Sequence, residues 1–204
     1  MTRIKFCGLT RPCDIEVVNE LKPDYIGFVF WQKSKRYITR LEAKELKAML
    51  SKDIKAVGVF VDEDISRVTA LLKDGIIDIV QLHGSEDEAY IKEVRKLTGK
   101  QIIKAFKVTP EADINKINES SADYVLLDAG MGDGKTFDWD LINNIQRPYF
   151  LAGGLDCNNV SEAVSKLEPF AVDVSSGIET DGLKDPIKMR EFMSLNNNIG
   201  GNTL

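Results

Sequence analysis

Two stretches near the end of the chain combine an apolar strand pattern with a run of small residues, a combination that can hold a phosphate group. Residues 149–155 read YFLAGGL and residues 171–179 read AVDVSSGIE. Glycine and serine leave backbone N–H groups uncovered, and an anion can accept several of these hydrogen bonds at once. A helical turn beginning at Ser176 or Gly177 would add its dipole. The sequence therefore predicts a phosphate site built from Gly153, Gly154, Ser175, Ser176 and Gly177.

Four other side chains stand at or just beyond the ends of predicted strands and could do acid–base or charge-recognition chemistry. Cys7 and Asp128 could exchange protons with a substrate. Arg36 could bind a carboxylate through two parallel hydrogen bonds, and His83 is the only histidine of the chain. Each also has a plain structural interpretation: a buried thiol, a turn-capping carboxylate, a solvated basic segment and a packed ring. A fold that gathers strand ends at one place would favour the chemical interpretation.

An alternation of apolar strands with helical segments predicts such a fold. The predicted strands are 3–7, 25–30, 56–61, 76–82, 101–106, 122–127, 149–152 and 170–174. The predicted helices are 10–21, one from Thr39, 64–73, 86–97, 113–118, 138–145, 158–167 and 186–193. Regular alternation predicts parallel strands with right-handed crossovers, which an open doubly wound sheet could also carry. Eight repeats with phosphate corners after strands seven and eight favour closure, so we predict an α/β fold, a single-domain (β/α)8 TIM barrel over 1–195, with a frayed tail at 196–204.

Two helix starts can be predicted from capping residues. Thr10 is a plausible N-cap with Pro12 in the first turn, and Thr39 with Glu42 matches a capping box.

Strand periodicity also predicts a buried ion pair. Lys5 shares a strand face with Cys7, so a thiol at the barrel mouth places the lysine inside the barrel below it. An unpaired ammonium there would be costly. Because strand eight neighbours strand one in a closed barrel, we predict Asp173 as the partner of Lys5.

Composition bounds the class of protein. The chain has 204 residues, 43% hydrophobic and 29% charged, with a net charge of −5. These values predict one core of ordinary size and argue against a general nucleic-acid surface. No apolar run is long enough for a signal peptide or a membrane span, so we expect a cytoplasmic protein without membrane partners. The three cysteines lack metal-ligand spacing, and we expect free thiols and no metal site.

A glycine-rich stretch at 129–136, reading AGMGDGKT, resembles a degenerate phosphate-binding loop of nucleotide hydrolases. Its first glycine position is Ala129, and a new helix start at Asp138 follows instead of a helix continuing from the loop. We therefore reject an ATPase.

Taken together, the motifs resemble those of the phosphoribosylanthranilate isomerase family from the first strand to the last. In chain order they are KFCGLT at 5–10, GFVF at 27–30, SKR at 34–36, VGVFV at 57–61, QLHG at 81–84, LLD at 126–128, GKTFDW at 134–139, LAGGL at 151–155 and VDVSSGIE at 172–179.

The resemblance implies an activity. The family rearranges N-(5′-phosphoribosyl)anthranilate to 1-(2-carboxyphenylamino)-1-deoxy-D-ribulose 5-phosphate in tryptophan biosynthesis, without cofactor or metal. It implies Cys7 as general base and Asp128 as general acid, roles that need a lowered pKa for Cys7 and a raised one for Asp128. Lys5 is a candidate for lowering the pKa of Cys7. The implied substrate-binding residues are Arg36, for the anthranilate carboxylate, His83, with its role open, and Gly153, Gly154, Ser175, Ser176 and Gly177 for the phosphate.

Two departures from the family pattern stand out. Lys35 replaces a proline before Arg36, which predicts a looser loop, and the loop at 131–134 looks short and carries Asp133. Alternatives are a pentose-phosphate epimerase, indole-glycerol phosphate synthase, a related aminoaldose isomerase of histidine synthesis, and a non-catalytic phosphate-binding barrel. A metal-dependent epimerase would need several histidines, and this chain has one. The synthase needs an inward Lys and Glu pair, which the residues predicted at the strand ends do not include. We expect a phosphorylated small molecule as ligand and a monomer or homodimer.

Overall fold

Eight parallel strands close into one barrel in the order of the chain. The computed structural model describes residues 1–109, 112–128 and 142–199. The barrel strands are β1 Arg3–Cys7, β2 Tyr25–Val29, β3 Lys55–Phe60, β4 Ile79–Leu82, β5 Ile102–Lys107, β6 Tyr124–Asp128, β7 Tyr149–Ala152 and β8 Ala171–Val174. The (β/α)8 barrel predicted from the alternation is confirmed.

Helices cover the outside of the barrel. They are α1 Pro12–Leu21, α2 Arg40–Met49, α3 Ile65–Lys73, α4 Glu88–Thr98, α5 Ile114–Glu119, α6 Val160–Leu167 and α7 Pro186–Ile199. The stretch at 129–136, with Asp133, lies outside the described residues, as does the first half of the helix predicted at 138–145. The second half, 142–145, is described and is not α-helical, so that part of the prediction was wrong. Among the described helices, none combines the length and apolar character needed to cross a bilayer.

The two cap predictions had different outcomes. The Thr39–Glu42 capping box is present: the Glu42 N–H donates to Thr39 Oγ1 at 3.3 Å, and the Thr39 N–H donates to the Glu42 carboxylate at 2.8 Å. Thr10 as N-cap was wrong, because α1 has Arg11 at that position. The Asp14 carboxylate accepts the N–H groups of both Thr10, at 3.1 Å, and Arg11, at 3.0 Å, so the helix is capped from its own first turn.

The last helix is longer than predicted. Met189 and Phe192 are fully buried and Leu195 packs against the core, so the apolar spacing continues past the predicted end at Met193. The helix ends at Ile199. The helix therefore includes the first residues of the expected tail, and 200–204 lie outside the described residues.

The interior of the barrel is filled from its N-terminal end. Tyr25, Tyr124, Phe150 and Phe170 lie at or near the starts of their strands and pack ring against ring, with centroids 4.6–5.7 Å apart. Aliphatic side chains such as Val57 continue this inner cluster. Because the N-terminal end is packed, open space is left at the C-terminal ends of the strands, where such barrels carry their sites.

The predicted ion pair closes the barrel between its first and last strands. Lys5 pairs in register with Asp173 of β8, and its Nζ donates to Asp173 Oδ2 at 2.8 Å. The lysine is fully buried and the aspartate is 8% exposed. Burial alone would lower the pKa of Lys5, but Asp173 and Cys7 together outweigh it and hold the pKa above its usual range.

A short antiparallel hairpin follows β8, and the sequence pattern did not predict it. Its strands are β9 Glu179–Thr180 and β10 Leu183–Lys184, with Lys184 directly opposite Glu179. It leads from the barrel mouth into α7.

Candidate active site

A cavity of about 270 Å³ opens at the C-terminal ends of the strands. Seven of the eight barrel strands, or the segments directly after them, contribute to its wall. All of the predicted site residues except Gly177 line it, namely Cys7, Arg36, His83, Asp128, Gly153, Gly154, Ser175 and Ser176. The structure therefore brings these eight predicted residues together around one cavity.

Cys7 ends β1 and is partly open to this cavity. Burial raises the pKa of its thiol, and the positive charge of Lys5 below it opposes that rise only in part. The negative charge of the Asp173 carboxylate, which pairs with Lys5, adds to the rise. The lowered pKa expected for Cys7 was thus wrong for the ligand-free protein, in which desolvation exceeds the help from Lys5.

Asp128 ends β6 and is linked across the cavity to the end of β4. His83 Nε2 lies 3.2 Å from Asp128 Oδ2, and Gln81 Nε2 lies 3.1 Å from His83 Nδ1. One ring nitrogen of His83 therefore contacts the Gln81 amide and the other contacts the Asp128 carboxylate. Gln81, 1% exposed, keeps its Oε1 buried and without a hydrogen-bond partner among the described residues. This arrangement holds the ring and the carboxylate in fixed orientation.

Arg36 reaches the mouth from the segment between β2 and α2. Its backbone N–H donates to Ser34 Oγ at 3.1 Å, so a side-chain hydrogen bond tightens the loop where Lys35 replaces the family proline. Its Nε and Nη2 donate to Glu179 at 2.6 and 2.7 Å, a bidentate pair. The Nη1 edge of the guanidinium takes no part in this pair.

The two predicted phosphate corners lie side by side. Gly153 and Gly154 have φ of 94° and 66°, which glycine adopts without strain and which turns the chain sharply after β7. Ser175 Oγ donates to the Cys7 carbonyl at 3.0 Å and ties the second corner to β1. No helix begins at Ser176 or Gly177: Ser175 and Ser176 carbonyls accept from Ile178 and Glu179, which makes two successive turns that lead into β9. The chain enters the hairpin directly from these turns, so no described helix adds its dipole at this corner.

Gly177 does not line the cavity. A Cβ there would come within 1.9 Å of the Leu155 carbonyl oxygen. The residue bridges to Asp156, so the loops after β7 and β8 meet backbone to backbone. Its glycine is required by this close approach.

Sequence reasoning missed three polar groups at the mouth: Gln81, Glu179 and Lys184. Gln81 lies two residues before His83, so strand periodicity places both side chains on one face and could have indicated the first. Glu179 and Lys184 depend on the hairpin, which places them opposite each other.

Comparison with known proteins identifies the family. Residues 4–195 match the family model described as N-(5'phosphoribosyl)anthranilate (PRA) isomerase. A relative named N-(5'-phosphoribosyl)anthranilate isomerase from Endomicrobium trichonymphae is 44% identical over 202 residues, covering 96% of this chain and 98% of the relative. One of the same name from Clostridium acetobutylicum is 45% identical over 202 residues, covering 95% and 97%.

Solved structures agree. Phosphoribosyl anthranilate isomerase from Thermotoga maritima superimposes with a TM-score of 0.89 at 35% identity, covering 97% of this chain and 100% of that one. A phosphoribosyl anthranilate isomerase in complex with reduced 1-(o-carboxyphenylamino)-1-deoxyribulose 5-phosphate gives a TM-score of 0.86 at 35% identity, with the same coverage. The resemblance predicted from the motifs is confirmed: this chain belongs to the N-(5'-phosphoribosyl)anthranilate isomerase family of tryptophan biosynthesis.

Proposed function

We propose that this barrel carries out its family's reaction with Cys7 as general base and Asp128 as general acid. The reaction is the Amadori rearrangement of N-(5′-phosphoribosyl)anthranilate to 1-(2-carboxyphenylamino)-1-deoxy-D-ribulose 5-phosphate. The observation that carries the assignment is that one cavity is lined by a thiol, a carboxylate and two amide-rich corners suited to a phosphate. A ligand held by its phosphate at the corners would extend towards both Cys7 and Asp128.

The protons balance in two steps. Protonated Asp128 gives its proton to the furanose ring oxygen as the C1–O bond breaks, which leaves an iminium ion at C1. Cys7, as thiolate, removes the C2 proton, and the electrons of that bond form the C1–C2 double bond of an enolamine while the iminium nitrogen becomes neutral. Tautomerisation of the enolamine gives the ketone. The positive charge of Lys5, which offsets part of the rise in the pKa of Cys7, supports the thiolate in this step.

The other predicted residues bind and orient. Arg36, held by Glu179 on one edge, offers its Nη1 edge to the anthranilate carboxylate. The amides of Gly153, Gly154, Ser175 and Ser176 take the phosphate. Gly177 supports these amides from behind. His83, which we expected among the substrate-binding residues, orients Asp128 through Nε2.

For the rest of its biology, we propose a cytoplasmic enzyme that uses no cofactor, metal, membrane or nucleic acid and acts as a monomer or homodimer. The net charge of −5 supports the absence of nucleic-acid binding. We propose the barrel at 1–195 as a single domain.

The experiment is turnover of freshly generated phosphoribosylanthranilate, followed by loss of its anthranilate fluorescence, for wild type, Cys7→Ser and Asp128→Asn. We expect losses of about a hundredfold or more in both variants. Cys13→Ser is the matched control, because Cys13 is an exposed free thiol on α1 and should leave turnover unchanged. Full turnover in Cys7→Ser or Asp128→Asn would reject the assigned roles. No turnover in folded wild type that still binds phosphate would favour the non-catalytic barrel.

A further inference from the structure

Lys184 is a buried lysine to which neither the sequence motifs nor the proposed reaction gives a task. It is 4% exposed and ends β10 of the hairpin. Its Nζ donates to the Ser175 carbonyl at 2.9 Å and to Glu179 Oε1 at 2.5 Å, and it lies 3.3 Å from Ser175 Oγ. The ammonium is thus anchored on the second phosphate corner and directed at one carboxylate.

That carboxylate is also the holder of Arg36. Glu179 accepts from Arg36 Nε and Nη2 and from Lys184, so two cations share it. Burial alone would raise the pKa of Glu179, but the hydrogen bonds from Arg36 and Lys184 bring it below its usual value. Glu179 is therefore an anion. Each of the two cations constrains the position in which the Glu179 carboxylate is presented to the other cation.

The hairpin makes this geometry rigid. Glu179 and Lys184 form a directly opposed cross-strand pair, with both side chains on one face. Ser175 in turn donates to the carbonyl of Cys7. A continuous set of contacts therefore runs from β1 through Ser175 and Lys184 to Glu179 and Arg36.

We propose that Lys184 is a positioning residue for the isomerisation: anchored on Ser175, it fixes Glu179, and Glu179 orients the Arg36 guanidinium for the substrate carboxylate. This inference rests on the proposed role of Arg36. Lys184 need not touch the substrate. It sets the spacing between the carboxylate-binding guanidinium and the phosphate corner, the two ends between which the ligand must fit.

Loss of the ammonium should act mainly on substrate binding. In Lys184→Met, Glu179 keeps Arg36 but loses its second tether, so the guanidinium is held less well. We expect KM to rise about tenfold while kcat changes less than about threefold.

Lys188→Met is the matched control. Lys188 is a neighbouring lysine whose Nζ donates to the backbone carbonyl of Glu179 at 2.6 Å and leaves its carboxylate alone. The KM of the Lys188→Met variant should stay within about twofold of the wild-type value.

The deciding experiment is a double-mutant cycle on KM with wild type, Lys184→Met, Arg36→Ala and the double variant, with folding checked by circular dichroism. If Lys184 acts through Arg36, the roughly tenfold effect of Lys184→Met falls below about twofold in the Arg36→Ala background. The same fold-change in both backgrounds would overturn the proposal. Unchanged KM in Arg36→Ala alone would instead reject the assigned role of Arg36.

A second route keeps the test decisive if Lys184→Met does not fold. Glu179→Gln keeps the shape of the side chain but removes the charge that both cations share. It should raise KM in the wild-type background and add less than about twofold to Arg36→Ala. If Glu179→Gln raised KM by the same factor in the Arg36→Ala background as in wild type, the proposed order of contacts would be contradicted.

Discussion

Cys7 shows how the charge state of a residue depends on neighbours that a sequence does not reveal. Strand parity predicted both Lys5 below the thiol and Asp173 beside Lys5, and both are present. The direction of the pKa shift could not be predicted in the same way, because it is the balance of desolvation against Lys5 and Asp173. Desolvation depends on everything packed around the sulfur.

The raised pKa of Cys7 predicts a slow thiol at neutral pH. The thiolate is the reactive form, so a pKa above the usual range of about 8.5 keeps Cys7 protonated at pH 7. Labelling of Cys7 by iodoacetamide, followed by peptide mass spectrometry, should still be rising between about pH 8.5 and 10. A labelling rate that has already levelled off below about pH 8 would contradict the raised pKa.

At the scale of elements, what could be predicted followed apolar periodicity and capping chemistry. β1 and β7 have the predicted bounds, whereas β4 begins at Ile79 instead of 76 because Ile76 and Ile77 are buried in the connection before it. The hairpin at 179–184 escaped prediction because its two strands have two residues each, too short for any periodicity. Glu179 and Lys184, which the hairpin positions, were not predicted as site residues for the same reason.

Gly177 tests whether contact between the loops after β7 and β8 shapes the phosphate corner. In Gly177→Ala the new Cβ would overlap the Leu155 carbonyl, so the two loops must separate. We expect binding of inorganic phosphate, measured by calorimetry, to weaken about tenfold.

Gly99→Ala is the control for that change. Gly99 ends α4 with φ of 62° and has open space around its Cβ position. It should lose about 1–2 kcal/mol of stability for the left-handed backbone and keep its phosphate affinity. Unaltered phosphate binding in Gly177→Ala would show that the corner does not depend on the contact.

At the scale of the whole molecule, closure of the barrel could be predicted because eight strand–helix units with phosphate corners after strands seven and eight favour a barrel over an open sheet. The same closure explains the Lys5–Asp173 pair, since only a barrel makes β1 and β8 neighbours. Details that depend on residues far apart in the chain, such as the Arg36–Glu179 pair, carry no local pattern in the sequence.

Breaking the closing ion pair should destabilise the whole fold. Asp173→Ala leaves the fully buried Lys5 ammonium without its partner, a change that costs about 3–5 kcal/mol of the free energy of unfolding. Glu20→Ala is the matched control, because Glu20 pairs with Arg190 at the exposed surface and should cost about 0–1 kcal/mol. Urea unfolding measures both, and an Asp173→Ala loss no larger than that of Glu20→Ala would count against a stabilising pair.

The central claim, that Cys7 is the base and Asp128 the acid, is tested most directly by the pH dependence of kcat/KM in wild type and the two single variants. In Asp128→Asn the residual rate depends on the Cys7 thiolate alone. The ratio of its kcat/KM to that of wild type should therefore rise with pH over the whole range. In Cys7→Ser the residual rate depends on protonated Asp128 alone and should fall as pH rises. The opposite slopes, or profiles that keep the wild-type shape in both variants, would contradict the assignment.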